Sequence, residues 1–368
     1  MREFDEIRLA QERELYLLSG ATGQLGLSIL RHWPRKECTI MPLPREAFDL
    51  SRPDCLAPIL EHYARGAQEY KRITLIHAAA YTNVELAEQY PEEVRVINTQ
   101  AVEVLAKTCA RLGIRMIQIS TDYVFDGTYD RPYPVDYPCH PISVYGTTKW
   151  LAEEAVKREM ERGSYSIVRT SWLYSCYIPN NFLMKLVMTV PQKRVWGIVE
   201  DQIGAPTSTI SLARSLYQLV QKEELPPIVH LTNRGETSWY GFAKAIFERI
   251  SVGYPIEVSP IRTGDFPTRA QRPLNSRLEL TDLDPLHPIS TWQEGVDEVF
   301  EELYPIWRLA QNLSARYPTL ESPFDPCLNL RPTFSNSLPN EEVLYRRALS
   351  KLQACNSFWD LLKVILKD

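Results

Sequence analysis

The sequence predicts an α/β fold: a doubly wound parallel sheet, a smaller α/β subdomain, and a helical extension at the end of the chain. Three observations carry that prediction. Short apolar runs alternate with helix-period stretches from Leu15 to Thr170, as in parallel sheets covered on both faces. The first of those runs leads directly into a glycine-rich turn. Beyond Thr170 the alternation loosens, as it does where a second, smaller unit interrupts the last strands.

The opening run, Leu15-Tyr-Leu-Leu18, is followed by Gly20-Ala-Thr-Gly-Gln-Leu-Gly26 and the amphipathic stretch Leu25 to Trp33. Strand, glycine turn and helix form the first βα unit of a Rossmann-type dinucleotide-binding domain. Gly20 lets the chain turn off the strand, Gly23 admits a pyrophosphate to the backbone N–H groups, and Gly26 allows close helix packing. Its G-x-x-G-x-x-G spacing points to short-chain dehydrogenase-like chains. Thr39 to Leu43 reads as the second strand, ending in Pro44-Arg45 and then Phe48-Asp49-Leu50. Ile73 to Ala78 is the third, running into Ala79-Ala80-Tyr81-Thr82. Glu92 to Leu112 has helical periodicity, with Gly113 as its C-cap. Ile114 to Ile119 is the fourth strand, ending in Ser120-Thr121-Asp122. A Pro- and Tyr-rich loop from Gly127 to Pro141 precedes a helix from about Val144 to Arg162 and a strand, Ser166 to Arg169. Runs near 195–199 and 228–232 are expected to complete the sheet, interleaved with helices near Ser208 to Lys222 and Ser238 to Ile250. The expected division is a nucleotide-binding domain over 14–172, a mainly substrate-binding subdomain over 173–304, and a linker with helical extension over 305–368. The extension's helices would be capped by Asn340 and by Ser357 with Asp360.

The 368 residues leave room for about two domains. A hydrophobic content of 44% and a charged content of 24% are those of a soluble globular chain. The net charge of −5 gives no electrostatic reason to expect nucleic acid or an anionic membrane. Seven scattered cysteines without a C-x-x-C suit free thiols in a reducing compartment. The charged N-terminus does not resemble a signal peptide, and no apolar run nears the ~18 residues of a membrane span. A cytoplasmic protein is expected.

Tyr145 and Lys149 stand four residues apart at the start of a helix, so both side chains share one face. An ammonium beside a phenol favours phenolate and lowers the tyrosine pKa toward a value useful at neutral pH. The spacing is cheap: the chain has 19 tyrosines, and Tyr240 with Lys244 repeats it. Only Tyr145 follows a strand that ends in Ser120-Thr121-Asp122, at the carboxyl edge where open α/β sheets bind ligands. The Tyr240 pair is read as structural. Thr121 can donate to a substrate carbonyl oxygen, Tyr145 can protonate it, and Lys149 can hold the tyrosine and the nicotinamide ribose. As a structural residue Thr121 would be a strand-end cap. Arg45 suits a 2′-phosphate, which favours NADPH over NADH, although an exposed loop arginine is its plainer reading.

Taken together, the motifs resemble the extended short-chain dehydrogenase/reductases, and among them the dTDP-4-dehydrorhamnose reductase family. The glycine turn, Ala78-Ala-Ala-Tyr-Thr82, Ser120-Thr-Asp-Tyr-Val-Phe-Asp-Gly127 and Val144-Tyr-Gly-Thr-Thr-Lys149 carry the resemblance in the first half. Arg169-Thr-Ser-Trp172, Asp201-Gln-Ile-Gly-Ala-Pro-Thr207, Thr237-Ser-Trp-Tyr240 and Arg272-Pro-Leu-Asn-Ser276 extend it to roughly residue 304. What it implies is NADPH-dependent reduction of the C4 ketone of a dTDP-6-deoxy-4-ketohexose to give dTDP-L-rhamnose. Thr121, Tyr145 and Lys149 would be the catalytic trio, with Tyr145 the proton donor; Asp122 and Trp172 would contact the sugar nucleotide. Gly23, Gln24 and Leu25 would meet the pyrophosphate, Asp49 and Leu50 the adenine, and Ala80, Tyr81 and Thr82 the cofactor's inner half. Asp49 also reads as a turn residue, and Trp172 as core packing. His77, Glu85 and the missing glycine near Ser175-Cys176 depart from the family pattern and bear on the exact sugar. Some relatives bind magnesium at a dimer contact; those carboxylates do not map here, and no metal ligand is assigned.

Two other readings share the fold. One is a non-catalytic regulator like the β subunit of methionine adenosyltransferase; the other is another sugar-nucleotide reductase or epimerase. A dehydratase would carry Asp-Glu after the strand-end threonine, where this chain has Asp122-Tyr123. The extension carries apolar Val343, Leu344, Leu352, Phe358, Leu361, Leu362 and Ile365. That face should dock on the body or on another subunit, as a homodimer or partner element.

Overall fold

The computed structural model describes residues 14–35, 37–67, 69–283, 289–316, 322–325 and 328–330, with single positions 348, 351, 358, 359 and 362 beyond. At its centre six strands form one parallel sheet: β1 (Glu14–Ser19), β2 (Cys38–Pro42), β3 (Arg72–His77), β4 (Arg115–Thr121), β5 (Tyr165–Thr170) and β6 (Ile228–His230). They lie in the order β6-β5-β4-β3-β1-β2. β4 and β5 are buried at every position, the near-continuous burial of a sheet covered on both faces. Leu15 and Leu17 of β1 pack with α2 (Leu56–Gly66), α3 (Ala101–Leu112) and α4 (Val144–Glu159). Tyr16 and Leu18 point the other way, to α1 (Gln24–His32) and α5 (Thr209–Val220), as the two-residue strand period requires. The chain runs from β1 out to β2 and returns on the far side of β1 as β3. The crevice at that reversal is where doubly wound sheets bind ligands.

Ile228–His230 takes the sheet edge beside β5, but the segment at 195–199 does not join the sheet. Val195–Val199 pairs in parallel with Glu257–Ile261 as a separate ribbon. Its burial alternates, with Val195 57% exposed, and a strand with one wet face does not suit a sheet sandwiched by helices. The stretch from 92 to 112 is also interrupted: Pro91–Arg95 is helical, Val96–Gln100 makes a π turn, and α3 follows. Gly113, at φ +67°, closes α3 in the left-handed conformation.

A second core gathers Tyr174, Trp196, the helices Phe182–Thr189 and Trp239–Phe247, and α6 (Trp292–Arg316). Thr291 and Glu294 cap α6 reciprocally: Thr291 N donates to Glu294 Oε2 at 2.7 Å, and Glu294 N to Thr291 Oγ1 at 3.3 Å. The tail returns to this core. Asn329–Leu330 pairs antiparallel with Ile250–Ser251, and Phe324, Leu328, Phe358 and Leu362 are buried in the cluster. Of the two docking outcomes open from the sequence, these residues take the one on their own chain. The caps at Asn340 and Ser357 lie outside the described residues. Among the described residues no helix is long and apolar enough to cross a membrane.

Ending the chain after Arg316 removes Phe324, Leu328, Leu330, Phe358 and Leu362 from that core, each contributing about 1.5–3 kcal/mol by burial before entropic offsets. The shortened protein is expected to melt roughly 10 °C lower and to self-associate through the uncovered face. Calorimetry and light scattering check this; a truncation that melts with the full chain and stays the same size contradicts it.

Candidate active site

Gly20 turns the chain off β1 at φ +70°, and a Cβ there would lie 2.7 Å from Ala79 N. A Cβ at Gly26 would overlap the Gly20 carbonyl and lie 2.6 Å from Ala21 Cα. Gly23 is the N-cap of α1 and supplies no side-chain cap. The first N–H groups of the helix, with its positive dipole end, therefore face the crevice as an anion site. Gln24 Nε2 donates to Leu173 O at 3.3 Å, and its Oε1 is buried without a partner. A cradle without Cβ atoms at an uncapped helix N-terminus fits a dinucleotide pyrophosphate.

At the far end of the crevice Leu50 is buried. Asp49 Oδ1 accepts from Ser51 N at 3.0 Å and Ser51 Oγ at 2.8 Å, so Asp49 does make the turn that its residue type suggests. Arg45 is exposed just beyond β2. On the inner side, Ala80-Tyr81-Thr82 leaves β3 over a residue that sequence reasoning missed. Asn98 Oδ1 accepts from Tyr81 N at 2.8 Å, and its Nδ2 donates to Tyr81 O at 3.1 Å and Thr148 Oγ1 at 3.3 Å. The π turn places it. The available signal was a buried amide within an otherwise apolar helical period.

Thr121 ends β4, and Tyr145 and Lys149 ride on α4, which Ser143 starts by accepting from Gly146 N at 3.1 Å. The Tyr145 hydroxyl lies beside the Thr121 side chain, and the Tyr123 ring meets its ring edge-on at 5.8 Å. Thr121 Oγ1 donates to Asp122 Oδ1 at 2.9 Å and accepts from Tyr123 N at 3.2 Å, so it also caps the strand end. Asp122 is buried, Oδ2 has no partner, and burial pushes its carboxyl up to about 7 against the pull of the Thr121 hydroxyl.

The expected lowering of the tyrosine pKa is not found. Burial pushes Tyr145 up to about 12, with the Thr121 hydroxyl opposing and the Asp122 charge adding to it, while Lys149 Nζ donates to the Ile119 carbonyl at 2.6 Å. Lys149 is itself pushed down to about 8 by burial, with the Glu153 carboxylate opposing.

Trp172 is the one non-glycine residue among those described with a left-handed φ, +48°, a conformation costing roughly 1–3 kcal/mol. Its ring stacks on Trp239 at 3.7 Å and 6° and lies so close to Gly204 that a Cβ there would come within 2.6 Å. Gln202 Oε1 accepts from Trp239 Nε1 at 3.1 Å. Trp172 is only half-buried, so it is a stacked rim residue rather than plain core. The three departures also have places. His77 Nδ1 meets Ser19 Oγ at 2.7 Å, and burial pushes the ring down to about 3, leaving it neutral. Glu85 ties the sheet domain to the later loop by pairing with Arg272 at 2.5 Å and accepting from Arg269 N at 2.8 Å. Cys176 is buried in the second core. Tyr240 packs on that core too, with Lys244 Nζ 5.6 Å from its ring centroid. Among the described residues no three His, Cys, Asp or Glu side chains gather to hold a metal.

A family model described as the RmlD substrate binding domain matches residues 15–304. A dTDP-4-dehydrorhamnose reductase of Burkholderia thailandensis is 34% identical over 314 residues, 82% of this chain and 97% of that protein. The one from Escherichia coli K12 is 32% identical over 301 residues, 78% of this chain and 97% of that protein. Among solved structures, dTDP-4-dehydrorhamnose reductase from Bacillus anthracis in complex with NADP matches with a TM-score of 0.72 at 30% identity, covering 79% of this chain and 99% of that one.

Proposed function

The chain belongs to the dTDP-4-dehydrorhamnose reductase family, and we propose that it reduces the C4 ketone of dTDP-4-dehydrorhamnose to dTDP-L-rhamnose with NADPH. The observation that carries the assignment of roles is the meeting of Thr121, Tyr145 and Lys149 at the carboxyl edge of β4, in the same crevice as the glycine cradle.

When bound, NADPH supplies the hydride that reaches C4. The Thr121 hydroxyl turns from Asp122 to donate to the ketone oxygen, and Tyr145 gives that oxygen its proton as negative charge grows there. A phenol held near 12 stays protonated at neutral pH, as a proton donor must. Lys149, cationic below about 8, then stabilises the phenolate. Asp122, whose Oδ2 is without a partner, and the face of Trp172 contact the sugar nucleotide. Gly23, Gln24 and Leu25 take the pyrophosphate, Asp49 and Leu50 the adenine, and Ala80, Tyr81 and Thr82 the inner half of the cofactor. In this reading residues 14–172 hold NADPH and 173–304 most of the sugar nucleotide.

The test is NADPH oxidation with dTDP-4-keto-6-deoxy sugars, followed by loss of NADPH fluorescence. A non-catalytic regulator would bind NADPH and leave it unconsumed. Arg45→Ala is expected to raise the apparent KM for NADPH roughly tenfold, the loss of one charge-assisted hydrogen bond to the 2′-phosphate. The KM for NADH should stay put; equal effects on both cofactors would remove Arg45 from the ribose.

A further inference from the structure

The floor of the site holds charges that the steps above do not use. Glu153 lies on α4 one turn beyond Lys149; Glu153 is 0% exposed and Lys149 3%. Arg169 of β5, 1% exposed, grips the Glu153 carboxylate with two nitrogens. Nη2 stands 2.7 Å from Oε2, and Nε stands 3.0 Å from Oε1 and 3.2 Å from Oε2. Ser120 Oγ donates to Oε1 at 2.5 Å. In the strand, Ser120 sits between Ile119, whose carbonyl receives Lys149 Nζ, and Thr121.

A buried ion pair is a poor stabiliser, because desolvating two charges offsets their attraction. This pair has a neighbour that needs it. An ammonium without water tends to lose its proton, and Glu153 is the opposite charge that acts on Lys149. The other groups facing Lys149 supply no negative charge: His77 of β3 is neutral, and Ile119 offers a carbonyl dipole. Tyr145, on the same helix, is a protonated phenol. Because Arg169 and Ser120 occupy the Glu153 oxygens, the carboxylate acts on Lys149 without drawing Nζ away from Ile119. Resting on the place of Lys149 in the catalytic trio, we infer that Glu153, clamped by Arg169 and Ser120, is a positioning residue whose carboxylate keeps the Lys149 ammonium charged.

The full-length protein, labelled with ¹³Cε-lysine and free of NADPH, gives the direct test. Lys149→Met assigns the resonance, and its titration midpoint is read by NMR. In Glu153→Gln that midpoint is expected to fall by about one pH unit or more, and the alkaline limb of kcat should move down with it. Activity should then recover on acidification. Should the stranded Arg169 unfold that variant, Glu153→Gln with Arg169→Met removes both charges and is expected to show a smaller fall in the same direction, since the cation leaves with the carboxylate. Ser120→Ala, a milder change, should lower the midpoint less. A purely structural role predicts a lower melting temperature with the Lys149 midpoint unmoved; that result in the folded variants overturns the inference. If the midpoint falls while the wild type consumes no NADPH with dTDP sugars, the inference stands and the proposed reaction fails.

Discussion

Tyr145→Phe is expected to lose turnover by about 10²-fold or more, the usual contribution of a positioned general acid, while binding NADPH like the wild type. The phenyl ring keeps the edge-on contact with Tyr123. Thr121 keeps Asp122 and the Tyr123 N–H as partners, so no buried hydrogen-bonding group is stranded beside the lost hydroxyl. What disappears is the proton for the oxygen at C4. Single-turnover kinetics and a fluorescence titration of NADPH separate the two effects. Tyr240→Phe is the control: it has the same spacing to a lysine but lies on the second core, and it should change little. Equal turnover by Tyr145→Phe and wild type would remove Tyr145 from the chemistry.

Gly26→Ala should raise the Kd for NADPH by roughly ten- to a hundred-fold, the equivalent of about 1–3 kcal/mol of overpacking. The new methyl would overlap the Gly20 carbonyl and crowd Ala21 Cα at 2.6 Å. Both belong to backbone that cannot rotate away, so α1 must move off the turn that cradles the phosphates. A matched control is Gly66→Ala, at the end of α2, where a Cβ would meet nothing within 4 Å; there binding should be unchanged. Isothermal titration on both variants decides it, and an unaltered Kd in Gly26→Ala would mean that the cradle is not the cofactor's.

Much of the site was legible because its parts are local. The glycine turn, the Ser120-Thr121-Asp122 strand end and the Tyr145 helix each announce themselves within a few residues, through spacing that only certain backbones accommodate. Residues whose work is done at long range stayed silent. Asn98 reads as one polar position in a helix until the π turn brings it under Tyr81. Glu153 and Arg169 are 16 residues apart and carry ordinary helix and strand signals. The strand at Val195 looked like the others, and its alternating burial told against the main sheet only once its neighbours were known.

By itself the sequence determined the order of strands and helices, the parallel sheet and the residues at its carboxyl edge, since period, glycine placement and strand-end chemistry are properties of short segments. Only the tertiary structure decided that Tyr145 is held protonated near 12 and Lys149 poised near 8. It also decided that Trp172 stacks on Trp239, and that Phe358 and Leu362 of the tail fold onto their own chain. Each of those depends on which groups are deprived of water and by which distant neighbours, and desolvation is a property of packed neighbours that no spacing along the chain encodes.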